Sequence, residues 1–251
     1  MKIVLGILYF IYKLYLGILF ALTALLFYPF LAYTTTREKY HKAAFRGFAA
    51  WSILFRIIAL WPLKRNKSEK QLPKGPFIIV ANHASYADIF ITPSLFMHHP
   101  HLFLGKSEIL SYPLIRTYFK NYNIPVFRDN KIKAAKSLIV ARKKLKAGWS
   151  LIIFPEGGIP DHVRPNMLPF KDGAFMLAKE MNIPILPVTF VNNYLLFTDP
   201  TDFLGSCRPG FSNVIFHPII EPEEIKEKSV EEIKNKAFDL ISGALPVSRE
   251  K

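Results

Sequence analysis

A histidine and an aspartate five residues apart are the clearest candidates for acid–base chemistry. The segment NHASYAD follows the apolar run FIIVA, which places His83 and Asp88 on a turn just after a predicted strand. Strand ends are where α/β sheets place their sites. A carboxylate that binds one ring nitrogen holds the imidazole in the tautomer whose other nitrogen accepts a proton. The pair is therefore suited to activating a hydroxyl group, although a histidine taken alone is more often a turn or core residue.

A second predicted strand end carries a carboxylate next to two glycines. Glu156, Gly157 and Gly158 follow the apolar run SLIIFP. Glycines let backbone amides approach a ligand closely. The short sequences PEG and GG are also common in turns that bind nothing. The segment therefore predicts either a ligand-binding loop or a simple strand exit.

The chain beyond residue 74 has the hydropathy pattern of an α/β domain. Short apolar runs alternate with longer amphipathic segments, as in folds that place helices against a sheet. Strands are predicted over residues 77–81, 124–127, 151–154, 185–190 and 214–216. Helices are predicted over residues 109–122, 131–146, 173–181 and 230–244. Ser229 and Glu232 predict a capping box at the start of the last helix.

The N-terminal region is apolar enough to enter a membrane. Residues 14–33 form an uncharged run near spanning length, and a second apolar stretch over residues 47–63 is interrupted by Arg56. The first run is far longer than the apolar core of a signal peptide. We therefore expect a mixed α/β protein with a membrane-associated helical hairpin over residues 1–66 and a catalytic α/β domain over residues 67–251.

The charges around the hairpin favour one orientation. The connector between its arms and the segment that follows it are both basic, and basic loops tend to stay cytoplasmic. Arg56 in the middle of an arm also suits a helix at the interface better than one in hydrocarbon. We expect a monotopic hairpin with the site on the cytoplasmic face, in a bacterial inner membrane. An ordinary pair of transmembrane helices is the alternative.

The overall charge predicts an anionic partner. Lys and Arg number 33 against 19 Asp and Glu, a net charge of +14. Nucleic acid and acidic lipid both fit, but the apolar N-terminus favours membrane lipid and no nucleic acid. The single Cys207 excludes an intramolecular disulfide. Three histidines lie close together at His98, His99 and His101. They lack the spacing and carboxylate partners of a zinc site, so the segment is interpreted as a loop and no metal is expected.

Four motifs in a fixed order resemble the glycerolipid acyltransferase family, which includes the lysophospholipid acyltransferases. Each motif is weak alone, and the resemblance rests on their shared order over most of the chain after residue 75. They are NHxxxxD with Asn82, His83 and Asp88; NIPVFR ending at Arg128; FPEG followed by FKDG with Lys171; and LPV at residues 186–188.

The resemblance implies an O-acyltransferase of phospholipid biosynthesis. It would move a fatty acyl group from acyl-CoA or acyl-carrier protein to a hydroxyl of a lysolipid, with 1-acyl-sn-glycerol-3-phosphate as the first choice of acceptor. His83 would take the proton of that hydroxyl, Asp88 would orient His83, and no cofactor is expected beyond the acyl donor. The residues expected to bind substrate are Asn82, Arg128, Glu156, Gly157, Gly158, Arg164 and Lys171.

One departure from the family pattern affects the acceptor. The family commonly continues FPEG with Thr-Arg-Ser, and here Ile159 stands at the arginine position. Either Arg164 folds back to replace that arginine, or the anionic group of the acceptor differs or is held differently. Another lysolipid or an amino-acid lipid is therefore an alternative acceptor. A non-catalytic lipid-binding protein of the membrane surface and a thioesterase-like hydrolase are the alternative functions.

Overall fold

The structure is a computed structural model that describes residues 2–66, 72–127, 130–159, 165, 167–199 and 201–246. Within these ranges the helices are α1 (Lys2–Thr35), α2 (His41–Ile58), α3 (Ala87–Leu95), α4 (Pro113–Tyr122), α5 (Lys131–Lys146), α6 (Gly173–Met181), α7 (Asn193–Leu196), α8 (Pro222–Glu227) and α9 (Val230–Ser242). The strands are β1 (Leu63–Arg65), β2 (Ile78–Ala81), β3 (His101–Lys106), β4 (Ile124–Val126), β5 (Ser150–Ile153), β6 (Ile185–Phe190) and β7 (Ser212–Phe216).

The strands form one mixed sheet in the order β1-β7-β6-β2-β5-β3-β4. The five strands from β6 to β4 are parallel, whereas β7 runs antiparallel to β6 and parallel to β1. Every residue of β2, β5 and β6 is buried, as expected of parallel strands covered on both faces. Because β2 lies between β5 and β6, the loops that follow these three strands meet at one edge of the sheet.

Right-handed crossovers divide the helices between the two faces. The chain moves in one direction from β2 through β3 to β4 and then returns to β5 and β6. Right-handed connections therefore place α3 and α4 on one face and α5 and α6 on the other. The contacts agree, because α2 packs against α3 and α1 against α4, whereas α6 packs against α5 and α9. The N-terminal hairpin thus covers the face that carries α3.

The sequence predicted the hairpin but not the limits of its second arm. Instead of residues 47–63, α2 spans residues 41–58 and so includes part of the basic connector. It ends where Leu60 takes a left-handed conformation at φ 55° and the backbone N–H of Trp61 donates to the carbonyl of Arg56 at 2.8 Å, which is a Schellman stop. Leu63 is the first residue of β1, because it pairs with β7 in the sheet.

α1 is apolar on the side away from the protein. Over Ile3–Thr35 it is long and apolar enough to cross a membrane, judged by length and composition, with a mean hydropathy of 2.1. Its inward face buries Leu16, Leu19 and Leu31, whereas Ile18, Leu22 and Leu25 are exposed. The alternation at helical spacing leaves an outward apolar face along the helix.

Most of the predicted elements are confirmed, and two of those that were missed have different causes. The predicted strands match β2, β4, β5, β6 and β7 to within two residues, and the capping box at Ser229 is present. The interpretation of residues 98–101 as a loop is wrong at His101, which begins β3. That strand forms because it pairs with β5 on one side and β4 on the other. α3 was also missed, since Pro93 lies inside it.

Candidate active site

Three strand ends bring the candidate residues together. His83 follows β2, Glu156 follows the neighbouring β5, and Asn193 follows β6 on the other side. Adjacent strands lie about 4.8 Å apart, so side chains from these loops can reach one another. The site therefore occupies the carboxyl edge of the parallel sheet, where α/β folds place their ligands.

The predicted His83–Asp88 pair is formed. Nδ1 of His83 lies 3.0 Å from Oδ2 of Asp88, and α3 begins at the residue before Asp88. One turn of chain therefore separates the two groups and aims the carboxylate back at the ring. With the proton on Nδ1 donated to Asp88, Nε2 is the ring nitrogen that accepts a proton.

Asp88 is held by donors from two parts of the chain. The carboxylate has no exposed surface. Its Oδ2 also accepts backbone N–H bonds from Ala84 and Ser85, each at 3.0 Å. Its Oδ1 accepts from the side-chain amide of Asn193 at 2.7 Å. Burial of a carboxylate is costly unless its oxygens accept hydrogen bonds, and here both oxygens do.

A further hydrogen bond fixes the orientation of Asn193. The hydroxyl of Ser212, at the start of β7, donates to the side-chain oxygen of Asn193 at 2.7 Å. The amide nitrogen of Asn193 must then face Asp88. The chain Ser212–Asn193–Asp88–His83 therefore links β7, α7 and α3 to the imidazole, and each member restricts the next.

The imidazole is packed but not closed off. The ring of Phe154 stacks on His83 with 4.1 Å between ring centroids and 18° between the ring planes. The side chain of His83 is 11% exposed, and within the described residues no group bonds to Nε2. Phe154 thus fixes the plane of the ring while Nε2 stays available to a hydroxyl group.

Glu156 binds the protein backbone on both sides. One carboxylate oxygen accepts from the backbone N–H of His83 at 2.7 Å and the other from that of Leu168 at 2.8 Å. Burial raises the pKa of Glu156 to about 7, although the two N–H donors oppose that effect. Glu156 therefore joins the β2 and β5 loops, and its predicted contact with substrate stays a prediction.

The two glycines of this loop differ in what they do. Gly157 has φ 88°, a left-handed conformation that disfavours side chains, and its N–H donates to the carbonyl of Phe154 at 3.1 Å. Among the residues that the structure describes, a Cβ at Gly158 would meet no atom within 4 Å, so its backbone adjoins space that none of them fills. Of the two, Gly158 is placed to let a ligand come close.

The structure describes two of the other four predicted binding residues, Asn82 and Lys171. The side-chain amide of Asn82 bonds to both the N–H and the carbonyl of Phe190, at 2.8 and 3.0 Å, and is buried. Lys171 is exposed, and its backbone N–H donates to the carbonyl of Pro155 at 3.0 Å. It therefore adjoins the loop after β5 that carries Glu156, which we call the Glu156 loop. Arg128 and Arg164 lie outside the described residues.

Sequence reasoning missed the residues that support Asp88. Asn193 and Ser212 lie far along the chain from Asp88 and belong to no motif that indicates chemistry. Asn193 does follow a well-predicted buried strand, and polar residues directly after such strands were the pattern that identified His83 and Glu156. Applied to β6, the same rule would have included Asn193.

The chain belongs to the Acyltransferase family, whose model matches residues 63–191. It is similar to 1-acyl-sn-glycerol-3-phosphate acyltransferases of Chlamydomonas reinhardtii, with 27% identity over 69% of this chain, and of Saccharomyces cerevisiae, with 30% identity over 68% of this chain. These alignments span 50% and 56% of the two relatives, so the chain corresponds to about half their length.

A solved structure has the same fold along the whole chain. The 1-acyl-sn-glycerophosphate (LPA) acyltransferase PlsC of Thermotoga maritima superposes with a TM-score of 0.74, covering 97% of this chain and 96% of that one at 24% identity. The similarity includes the helical hairpin as well as the sheet. The predicted family and fold class are thus confirmed.

Proposed function

We propose that this chain moves a fatty acyl group from the thioester of acyl-CoA or acyl-carrier protein to a hydroxyl of a lysolipid. One observation carries the proposal. Nδ1 of His83 lies 3.0 Å from the buried carboxylate of Asp88, while Nε2 is left as a proton acceptor at the edge of the sheet. Membership of the Acyltransferase family supports the same reaction.

The arrangement suits direct transfer. Nε2 of His83 takes the proton of the acceptor hydroxyl as its oxygen attacks the thioester carbonyl. The imidazolium that forms is stabilised by the carboxylate of Asp88, whose oxygens are held in place by four hydrogen bonds. The C–S bond then breaks, and the proton held on His83 passes to the leaving thiolate. The ester is formed without a covalent acyl-enzyme.

The proposed acceptor is 1-acyl-sn-glycerol-3-phosphate. Two relatives are named for that substrate, and Lys171 provides an exposed cation beside the Glu156 loop. Arg128 and Arg164 are proposed to complete the binding of the phosphate, because guanidinium groups match phosphate oxygens. Other lysolipids stay alternative acceptors, since Ile159 replaces the usual arginine.

The proposed location is a membrane surface with the site facing the cytoplasm. The apolar outward face of α1 supports membrane association. The connector between the arms of the hairpin and the segment after the second arm are both basic, which favours a monotopic attachment. The bacterial inner membrane is our proposed setting, while relatives are known from an alga and a yeast.

Mass spectrometry of lipid products tests the proposed reaction. The purified chain would be incubated with acyl-CoA, or with acyl-carrier protein in a second series, and a mixture of lysolipids. We expect acylation of the phosphate-bearing lysolipid by the wild type and none by His83→Ala. Product formed equally by His83→Ala would contradict the role of His83, and acylation of a different lysolipid would replace the proposed acceptor.

A further inference from the structure

A loop outside the site carries exposed apolar side chains. We call residues 201–211 the Phe203 loop. Phe203 and Leu204 are 64% and 65% exposed, and Phe211 at the other end of the loop is also exposed. Single exposed apolar residues are ordinary, but a contiguous group marks an interaction surface. The identity of the partner follows from what lies beside the loop.

The Phe203 loop lies along the first half of α1. The rings of Phe10 and Phe203 meet edge to face with centroids 6.0 Å apart. A Cβ at Gly6 would lie only 3.2 Å from Leu204, so the glycine permits close approach. Positions 6 and 10 share one face of α1, four residues apart. The apolar loop therefore continues the apolar surface of the helix.

A lysine anchors this contact. Nζ of Lys13 donates to the hydroxyl of Thr198 at 3.0 Å and to the backbone carbonyl of Asp202. Position 13 continues the face that carries positions 6 and 10. Lys13, which lies within the apolar part of the helix, is therefore bonded to the loop, and it fixes the position of Phe203 and Leu204 along α1.

The end of α2 extends the same surface. The backbone N–H of Gly210 donates to the carbonyl of Leu60 at 3.0 Å, and the indole N–H of Trp61 donates to the carbonyl of Arg208. Ile57 and Leu60 are themselves exposed. The apolar patch therefore comprises side chains from α1, the α2 end and the Phe203 loop.

Charge at the border of the patch fits a lipid surface. Lys64, Arg65 and Arg208 are exposed and lie within five residues of Leu60 or Phe211 along the chain, and Asp202 is the exposed acid of the loop. Apolar side chains bordered by cations suit a leaflet that contains anionic lipid. We infer that the Phe203 loop is a second membrane contact, which inserts Phe203 and Leu204 into the leaflet that receives the outward face of α1.

The segment that precedes the Phe203 loop is bonded to the catalytic turn, and the backbone N–H of Asp202 in the loop donates to the carbonyl of Asp199 in that segment at 3.1 Å. The hydroxyl of Ser85 donates to the carbonyl of Phe197 at 2.6 Å, and the hydroxyl of Tyr86 to the carboxylate of Asp199 at 3.3 Å. Ser85 also donates its backbone N–H to Asp88. Docking of the Phe203 loop therefore holds the His83–Asp88 turn at a defined height above the bilayer, near the headgroups.

Spin labelling tests the contact without depending on activity. Burial raises the pKa of the Cys207 thiol to about 12, so the native cysteine is not expected to react and can stay in place. Nitroxides would be attached to Phe203→Cys, to Ile18→Cys on the outward face of α1, and to Met176→Cys, an exposed position in α6. Leu204→Cys is a second position if Phe203→Cys does not fold.

The measurement compares how often each nitroxide collides with oxygen, which dissolves in bilayers, and with a nickel chelate, which stays in water. In full-length protein bound to vesicles of phosphatidylcholine and phosphatidylglycerol, we expect the labels at 203 and 18 to favour oxygen several-fold and the label at 176 to favour nickel. Nickel accessibility at 203 together with protection at 18 would overturn the inference. Spin–spin broadening at 203 would also overturn it, because a second copy would then cover the patch.

Discussion

The carboxylate of Glu156 accepts the backbone N–H of His83 at 2.7 Å. Its other oxygen accepts the N–H of Leu168, so both oxygens are engaged within the protein. Glu156 thereby connects the loop after β5 to the loop that carries the imidazole. A residue predicted from its motif to touch substrate is in this structure bound to the backbone of the proposed general base.

Replacing Glu156 should therefore lower turnover more than acceptor affinity. In Glu156→Gln the amide nitrogen faces one of the two N–H donors and displaces its loop. We expect kcat to fall by about 10- to 100-fold, because small misplacements of catalytic groups have effects of that size, with KM nearly unchanged. Glu223→Gln, an exposed change in α8, is the control. A large rise in KM at constant kcat would instead support direct binding of substrate.

The stability of the protein should depend on pH through the same residue. The pKa of Glu156 is raised from 4.5 to about 7 by burial, so between these values the folded chain holds a proton that the unfolded chain releases. The free energy of unfolding should therefore fall as pH rises from about 4.5 through about 7, by up to about 3 kcal/mol.

Glu156→Gln isolates this contribution, because the amide does not titrate. Buried His101, whose pKa burial lowers to about 4, acts in the opposite direction over an overlapping range, but equally in both proteins. The melting temperature of the wild type should therefore fall relative to that of Glu156→Gln as pH rises from about 4.5 through about 7. Parallel curves for wild type and Glu156→Gln would show that the carboxyl does not titrate there.

Asp88→Asn should separate catalysis from folding. The change removes the charge that stabilises the imidazolium, and we expect turnover to fall on the order of 10⁴-fold, as in a Ser-His-Asp triad changed in the same way. Asn193 and Ser212 can reverse their bonds to suit the new amide, so the loss of stability should be about 1 kcal/mol. Asp239→Asn on the surface of α9 is the control. Turnover near the wild-type value would remove Asp88 from the mechanism.

These residues show how far the sequence could define the site. His83, Asp88 and Glu156 were predicted because each lies in a short motif directly after an apolar run. Ser212 and the hydrogen bonds of Asn193 could not be predicted, since they depend on β6 lying next to β2 and on β7 turning back beside β6. The identity of strand neighbours is a tertiary property that local periodicity does not encode.

Ile159→Arg should strengthen binding of a phosphate-bearing acceptor. Ile159 stands at the position where the motif that the chain resembles has arginine, next to Gly158, whose backbone adjoins space that no described residue fills. A guanidinium there should lower KM for 1-acyl-sn-glycerol-3-phosphate by about tenfold and leave KM for an uncharged lysolipid unchanged. Ile159→Gln supplies a polar side chain without charge. Equal effects of the two changes would show that charge is not the cause.

The two ends of α2 should face the same side of the membrane. The hydroxyl of Tyr15 donates to the carbonyl of Ile58 at 2.7 Å, which places the end of α2 against the apolar middle of α1. We expect membrane-impermeant maleimide to label Glu38→Cys and Lys64→Cys only from the cytoplasmic side. Glu223→Cys reports the side of the α/β domain. Labelling of positions 38 and 64 from opposite sides would show that α2 crosses the membrane.

The fold was more predictable than the hairpin boundaries. Buried central strands such as β2 and β6 are continuous apolar runs, which periodicity detects. The short edge strand β1 has the sequence LKR, with no apolar pattern, and forms only because β7 is next to it. Because β1 has no pattern of its own, the prediction from sequence placed the end of the second arm at residue 63, whereas α2 ends at Ile58.

Release of thiol from acyl-CoA, with and without lysolipid, tests the central claim that His83 activates an acceptor hydroxyl for direct transfer. Direct transfer through His83 predicts thiol release by the wild type only when lysolipid is present, one ester formed per thiol, and neither in His83→Ala. Thiol released at the same rate without lysolipid would identify a hydrolase, and transfer that survives in His83→Ala would contradict the proposed mechanism.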